Sequence, residues 1–199
     1  MKNEDWKKRP ENPEEYTAAL YQRTDELYQI PDAIVDENGI IECPVLTMRD
    51  IVVFPRMVSP IFVSPGANLD AITHTQKVGG TMISLVLKDS EIEKPKAGDY
   101  ELVGVEVAVG RLLNLQDGNG SALVQGRRRI EVVEILDQEP FKWVRGKVIE
   151  ESTVVDRQTE ALMRTTRDLF ERCVQLDRTL PDEAHLFSIN ISEPGWLAD

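Results

Sequence analysis

The chain has 199 residues, enough for one large domain or two small ones, and 41% of them are hydrophobic. Its formal net charge of −12 disfavours nucleic acid as a partner, because phosphate contacts need clustered Lys and Arg. No apolar run is long enough to cross a bilayer, so no membrane partner is expected. Cys43 and Cys173 lack the spacing of a metal site, and we expect two reduced, mostly buried thiols in a cytoplasmic protein.

Residues 1–38 form an N-terminal extension whose sequence predicts a helix over residues 13–29. Asn12 suits the N-cap, Pro13 suits the first helical position, and Glu15 can close a capping box. Apolar residues then recur at helical spacing. Two interpretations stay open: the helix packs on the domain that follows, or it is an arm that binds another subunit or a partner.

The run from Cys43 to Val63 is rich in β-branched and aromatic residues, which are typical of half-buried strands. Three prolines interrupt the run: Pro44, Pro55 and Pro60. Proline cannot donate a ladder hydrogen bond, so each is expected at a strand start, an edge or a bend. We predict two short strands here, one near Val45 and one over residues 57–63.

The next hundred residues predict one helix and several further strands. The helix spans residues 67–78 and is ended by Gly79 and Gly80. A hairpin turn is predicted at residues 117–120. The strands are predicted at residues 81–87, 101–115, 121–126, 130–136 and 141–149. Short strands in this number, with one early helix, predict a small, partly closed β-barrel. The apolar run at 81–87 is typical of a strand buried on both faces.

Three consecutive arginines, residues 127–129, precede the predicted strand at 130–136. Clustered arginines can bind phosphate, which keeps an RNA-binding barrel as a rival interpretation. The acidity of the whole chain instead favours ion pairs between these arginines and nearby Glu and Asp side chains.

From Ser152 the apolar period changes from two residues to about 3.6, which predicts helices. The first helix should have five or more turns, and its apolar stripe comprises Val155, Leu162, Leu169, Val174 and Leu176. Such a stripe must be covered by other elements. A second helix is predicted from Pro181, and a further element begins near Ser192. Because these helices have few partners here, we expect the chain to be a fragment of a longer protein.

Several segments carry a resemblance, and they read PVLTMRDIVVFPRMVSPIFV, LVLKDSEIEKP, YELVGVEVAVGRLLNLQDGNGSALVQGRRRIEVVEIL and LPDEAHLFSINISEPGWLAD. In this order they resemble the N-terminal domain of bacterial ATP-dependent Lon proteases. The resemblance extends from about Ile40 to Asp199. It implies an α+β fold: a PUA-like β pseudobarrel with one inserted helix over residues 39–151, then the start of a helical subdomain over residues 152–199.

The resemblance also implies a function. The chain would be a non-catalytic region that captures unfolded or tagged proteins and supports the assembly of a hexamer. ATP, Mg²⁺ and the Ser-Lys peptidase chemistry would belong to downstream modules, whose motifs this sequence lacks, so no catalytic residue, cofactor or metal is expected here. The alternative is a stand-alone Lon-like adaptor that binds a partner protein or a small ligand.

Recognition of unfolded chains needs apolar surface that tolerates many sequences. We hypothesise that two places supply it, the first turn and the hairpin end of the long strand. The side chains are Met48, Phe54, Pro55, Met57, Leu112 and Leu113. Neighbouring residues of a strand point to opposite faces, so one leucine of the pair should face outward. The competing interpretation assigns most of the six to the core.

Overall fold

A computed structural model describes residues 24–114, 118–152, 154–177, 179–181 and 183–199. The chain divides into two compact units, with the boundary between Ile149 and Glu150. Most of the predicted N-terminal helix lies outside the described residues; within them, residues 24–28 are helical. The predicted hairpin turn at 117–120 also lies partly outside, and its described Gly118 has the positive φ of 82° that such turns need.

Seven strands lie among the described residues of the first unit. They are β1 (Ile40–Met48), β2 (Val58–Val63), β3 (Thr81–Val86), β4 (Val103–Val109), β5 (Leu113–Asn114), β6 (Gly120–Leu136) and β7 (Trp143–Val148). The helix α1 (Ala67–Val78) lies between β2 and β3, as predicted. A short 3₁₀ helix, Ala97–Asp99, precedes β4.

The strands form one sheet in the order β2-β6-β4-β3-β1-β7, and β5 pairs with β6. Because β6 also pairs with β7, the strands β6, β4, β3, β1 and β7 close into a ring. β1 and β3 run parallel, and the other pairs are antiparallel. The predicted α+β fold, a β-barrel with one inserted helix and a helical part after it, is confirmed.

The strand β6 corrects one prediction. Residues 121–126 and 130–136, predicted as two strands, belong to a single strand of 17 residues. The three arginines lie inside it, because the ladder continues past them: Arg129 pairs with Val105 of β4, and Ile130 pairs with Val148 of β7. Neither proline nor an Asn-Gly turn interrupts this stretch, so nothing in it ends the strand.

The prediction of one long strand over residues 101–115 is also wrong, because this range contains two strands. It is divided into β4, which ends at Val109, and β5, which begins at Leu113. The carbonyl oxygen of Gly110 accepts a hydrogen bond of 2.7 Å from the Gln76 side chain of α1. The Gly110 carbonyl oxygen, just after the end of β4, is therefore bonded to a side chain of α1.

Two apolar clusters fill the first unit. One lies against α1 and includes Leu46, Met82, Val107 and Ile72. The other includes Ile41, Ile83, Leu85, Ile130 and Val144. The neighbouring residues Met82 and Ile83 of β3 enter different clusters, which confirms the prediction of a strand buried on both faces.

The described end of the N-terminal extension packs on this unit. Leu27 is fully buried, and its carbonyl oxygen accepts a hydrogen bond of 2.7 Å from Arg127. Arg128 donates similarly to the carbonyl oxygen of Ala33 at 3.1 Å. For residues 24–33, packing on the chain's own domain is therefore the interpretation that holds.

Glu106 is the buried centre of a polar network, which we call the clamp, formed with Ala33, Thr81 and Arg128. Its side chain is 0% exposed and accepts hydrogen bonds from the Ala33 N–H at 2.6 Å and from the Thr81 hydroxyl at 2.7 Å. Arg128 pairs with the same carboxylate at 2.6 Å, and Arg127 lies 3.5 Å from a carboxylate oxygen of Asp32. The predicted ion pairs of the arginine run are confirmed at these two positions.

The second unit contains α2 (Arg157–Leu176), α3 (Glu183–Asn190) and α4 (Pro194–Ala198). The Asp156 carboxylate caps α2 by accepting a hydrogen bond of 2.7 Å from the Thr159 N–H. Arg167 ties α2 to α3 through a hydrogen bond of 3.1 Å to the carbonyl oxygen of Ser188. No helix among the described residues of the chain is both long enough and apolar enough to span a membrane.

The predicted burial of the stripe on α2 is wrong for its leucines. Leu162, Leu169 and Leu176 are 61%, 53% and 84% exposed, whereas Val174 of the predicted stripe is buried, together with Met163. A 20-residue helix that packs against two short helices has only one face to bury. The exposed position of Cys173 on the same helix likewise corrects the expectation of two mostly buried thiols, whereas Cys43 is buried.

We expect Arg128→Ala to cost about 3 kcal/mol of unfolding free energy, because it leaves the buried Glu106 carboxylate without its ion-pair partner. Urea unfolding followed by tryptophan fluorescence measures this change. The matched control is Arg145→Ala, whose side chain is 45% exposed and lies 3.6 Å from Glu134; it should cost less than about 1 kcal/mol. Equal costs for the two variants would contradict the clamp.

Candidate functional site

Large apolar side chains are exposed along the connection between β1 and β2 and along β2 itself. We call six of them the β2 apolar surface: Ile51, Val52, Phe54, Met57, Val58 and Phe62. Their exposure ranges from 37% to 79%, with Phe62 the most exposed. Val53 and Ile61 in the same stretch are buried, so the segment is anchored to the core while its other side chains face solvent.

A tight turn at residues 54–57 leads into β2. The Met57 N–H donates to the carbonyl oxygen of Phe54 at 3.2 Å, and Arg56 has a positive φ of 66°. With Pro55 before that residue, these are the features of a type II turn, in which glycine is usual at the position of Arg56. The left-handed conformation costs a non-glycine residue roughly 1–2 kcal/mol, so the surrounding contacts must hold the turn.

Those contacts come from Gly126 in β6. Arg56 donates its N–H to the Gly126 carbonyl oxygen, and Gly126 donates its own N–H to the Met57 carbonyl oxygen, both at 2.9 Å. A Cβ atom on residue 126 would lie only 2.0 Å from the carbonyl oxygen of Phe54. The turn therefore rests directly on the backbone of β6, and only glycine leaves room for it.

A cleft of about 790 Å³ adjoins β2. It is lined by the end of β1 and the residues after it, by residues 61–68, by residues 93–95 and by residues 138–142. Tyr100 and Thr47 lie in this lining, and their hydroxyl groups are 3.0 Å apart in a hydrogen bond. The charged lining residues carry both signs: Arg49, Lys94 and Lys142 with Asp50, Glu93 and Glu139.

The Asn68 side chain closes the edge of β1 inside this cleft. Its Oδ1 accepts from the Thr47 N–H at 2.9 Å, and its Nδ2 donates to the Thr47 carbonyl oxygen at 2.8 Å. The amide thus makes both hydrogen bonds that a neighbouring strand would make. The Val45 N–H on the same strand donates to the Lys142 carbonyl oxygen at 2.9 Å.

Two ionisable groups near the cleft and the core have raised pKa values. Burial raises the pKa of the Tyr100 hydroxyl, against the opposing effect of its hydrogen bond to Thr47. Burial, together with the nearby Glu106 carboxylate, raises the pKa of the Cys43 thiol to about 12. Both groups therefore stay protonated at neutral pH. Within the described ranges, no three His, Cys, Asp or Glu side chains lie close enough together to hold a metal ion.

The structure separates the six residues proposed from the sequence. Phe54 and Met57 are each 37% exposed and lie on the β2 apolar surface. Met48 is only 8% exposed in the first core cluster, although it belongs to the lining of the cleft, and Pro55 is buried in its turn. The expectation that both are exposed is therefore wrong. Burial of Met48 follows from its place in β1, where it pairs with Val86 of β3.

Leu112 and Leu113 are both half-buried, although the alternation of side chains along a strand predicted that one of them would face outward. Leu112 packs against the first core cluster. Leu113 pairs with Ser121 of β6, and Ser121 pairs on its other side with Phe62 of β2. Paired residues project from the same face of a sheet, so Leu113, Ser121 and Phe62 form one row across β5, β6 and β2. Whether any of these side chains binds a polypeptide stays a prediction.

The sequence analysis missed Ile51, Val52, Val58 and Phe62. A signal for the last two was present, because residues 58–63 are apolar at both alternating positions apart from Ser59. One face of such a strand packs on the core, so the other face must expose apolar side chains if the strand lies at an edge. Pro60 in the middle of the run indicated an edge.

Comparison with known proteins gives concordant results. The family model described as the ATP-dependent protease La (LON) substrate-binding domain matches residues 42–199. Lon protease 2 of Herpetosiphon aurantiacus is 33% identical over 169 residues, which are 83% of this chain and 21% of that protein. The Lon protease of Xanthomonas oryzae pv. oryzae is 35% identical over 161 residues, which are 80% of this chain and 19% of that protein. The chain therefore spans about one fifth of the length of these curated relatives.

A solved structure resembles this one in fold. The N-terminal domain of the Mycobacterium avium complex Lon protease superimposes with a TM-score of 0.63 at 22% sequence identity. The match covers 79% of this chain and 80% of that chain. At this level of identity the likeness concerns the fold alone.

We expect Gly126→Ala to lower the unfolding free energy by about 1–3 kcal/mol, because the added methyl group forces the turn at 54–57 away from β6. Chemical denaturation measures the loss, and amide exchange at Arg56 should become faster. Gly98→Ala is the control, since a Cβ there meets no atom within 4 Å. A change at residue 126 no larger than at residue 98 would show that the turn does not depend on this contact.

Proposed function

This chain belongs to the family of ATP-dependent protease La (LON) substrate-binding domains, and on that premise we propose that it captures unfolded or degradation-tagged polypeptides. The capture site is the β2 apolar surface with the adjoining cleft. The observation that carries the proposal is the concentration of exposed apolar side chains in residues 51–62. Contiguous apolar patches on a protein surface commonly mark sites of interaction.

The chemistry of this surface suits guests of many sequences. Phe54 and Phe62 offer large apolar faces, and the unbranched Met57 side chain adapts its shape to different neighbours. The lining of the cleft carries charges of both signs, so neither a strongly acidic nor a strongly basic guest is favoured. A site of this kind selects exposed apolar segments rather than one sequence.

The rival RNA-binding function finds less support. Arg127 and Arg128 are the most obvious phosphate ligands in the sequence, but they pair with Asp32 and Glu106 and donate to backbone carbonyl oxygens of residues 27–33. Binding phosphate would require these contacts to break. The formal net charge of −12 adds general repulsion against a polyanion.

We assign the remaining activities of the whole protein to parts outside this chain. ATP hydrolysis with Mg²⁺ and cleavage of peptide bonds by a Ser-Lys site would lie there, in a protein that works in the cytoplasm. Assembly into a hexamer would place several capture sites side by side. Weak capture at each site would then be enough, because linked sites raise the overall affinity without new contacts.

We expect the double variant Met57→Ser with Phe62→Ser to bind an unfolded client about tenfold or more weakly, because two apolar anchors are lost. The client is a reduced and alkylated model protein that cannot refold, and fluorescence anisotropy gives the dissociation constant. Thermal unfolding checks that the fold is unchanged, as expected for exposed side chains.

Phe187→Ser is the matched control for this experiment. Phe187 is 74% exposed, close to the 79% of Phe62, but lies in the second unit. It should leave the dissociation constant unchanged. Equal weakening by the control, or no weakening by the double variant, would remove the β2 apolar surface as the capture site.

A further inference from the structure

β2 has a strand on one side only within the part of the chain that the structure describes, because it is the terminal strand in the sheet order. The direction of its backbone groups follows from β6. Leu123 pairs with Pro60, yet the Leu123 carbonyl oxygen accepts a 2.8 Å hydrogen bond from Gly110 on the opposite side of β6. The pair of Pro60 and Leu123 is therefore a non-hydrogen-bonded pair of the antiparallel ladder.

Hydrogen-bonded and non-hydrogen-bonded pairs alternate along the ladder, so this assignment sets the direction of the backbone groups of the other β2 residues. Ser59, Ile61 and Val63 direct their backbone groups toward β6, whereas those of Val58, Pro60 and Phe62 point away from it. Gly126 agrees with this alternation, because its N–H and its carbonyl oxygen are both bonded to the backbone of Arg56 and Met57, just before β2. The outer edge thus presents the carbonyl groups of three residues and the N–H groups of two, since Pro60 has none. The Pro60 carbonyl oxygen already accepts a long hydrogen bond of 3.5 Å from the Ser59 hydroxyl.

The neighbouring edge of β1 differs in this respect. There the Asn68 side chain bonds both backbone groups of Thr47, and the Lys142 carbonyl oxygen accepts from Val45. β1 and β2 both contribute to the lining of the cleft. One wall of the cleft therefore has its backbone satisfied by the chain itself, and the other wall keeps an open strand edge.

We infer that a captured polypeptide binds in an extended conformation as an additional β-strand along the outer edge of β2. The inference rests on the proposed function and specifies how the guest is held. A row of alternating donors and acceptors spaced along a strand is complementary to the backbone of another extended chain. Backbone pairing does not depend on side chains, so it provides affinity for unrelated sequences, as a protease that clears many clients requires.

The side chains around this edge are suited to such a guest. Val58, Pro60 and Phe62 are exposed on the face of β2 opposite the core. Side chains of an added strand on that face would contact these three side chains of β2, with Phe62 the largest. The missing N–H of Pro60 is also a known means of protecting an edge against unwanted pairing, so it weakens the edge without closing it.

The test uses three peptides with the same alternating sequence of Val and Thr, ten residues long. One is unmodified; the other two carry N-methyl groups on alternate residues, at odd or at even positions. Along a strand bound in one direction with its Val side chains on the side of Phe62, successive N–H groups point to opposite edges, so only one of the two methylated isomers loses its bonds to β2. That isomer should bind about tenfold or more weakly than the parent peptide, and the other within about twofold of it.

Variants of the chain provide the reciprocal measurement. Phe62→Pro and Phe62→Val both remove the aromatic ring, but only proline removes the N–H group on the outer edge. Phe62→Pro should bind the unmodified peptide about fivefold more weakly than Phe62→Val. Should Phe62→Pro fail to fold, amide exchange in the unaltered chain replaces it: the Val58 and Phe62 amides should exchange more slowly with peptide bound.

The outcomes separate the two proposals. Binding of the parent peptide with equal effects from both methylated isomers, or with unchanged exchange at Val58 and Phe62, would overturn strand addition while leaving capture in place. Failure of the chain to bind both the parent peptide and the unfolded client would overturn the proposed function and this inference with it. Unequal isomers together with protected edge amides establish strand addition.

Discussion

The hydrogen-bonding capacity of β6 is the constraint on which the rest of the structure depends. A strand has two edges, and on one edge of β6, β4 lies beside residues 124–131 and β5 beside residues 120–121. β2 and β7 must therefore share the other edge, β2 beside residues 120–125 and β7 beside residues 130–136. β7 also pairs with β1 and so closes the ring, whereas β2 has no further neighbour among the described strands. The cleft, lined by parts of β1, β2 and the turn between β6 and β7, lies where the two partners of β6 diverge.

The same strand carries the contacts that hold the rest of the unit in place. Gly126 supports the turn that leads into β2, and the next two residues, Arg127 and Arg128, hold the segment at residues 27–33. The buried carboxylate of Glu106 in β4 requires a cationic partner, which Arg128 supplies. Two arginines that would suggest nucleic acid in isolation, Arg127 and Arg128, thus hold segments of the chain itself together.

In the second unit, the apolar pattern predicted a helix correctly but did not predict which side chains are buried. The sequence predicted a helix here from its 3.6-residue period, and α2 is present. The same pattern also suggested that its leucines pack inward, and they do not, because α3 and α4 contact a different face of α2. Periodicity reports the conformation of a segment, but it does not report which other segments are available to cover it.

The sequence by itself determined the class of each element, the family and the approximate place of the candidate site. Local steric and hydrogen-bonding preferences were sufficient for α1, whose predicted and observed bounds agree, and for Pro60 at a strand edge. Only the tertiary structure decided that Met48 is buried while Phe62 is exposed, since both are apolar residues of short strands. That difference depends on partners distant in the chain: Met48 pairs with Val86 of β3 and packs in the first core cluster, whereas Phe62 projects from the solvent-facing side of β2. Burial and edge exposure depend on pairing between remote segments, so they cannot be deduced from a local sequence pattern.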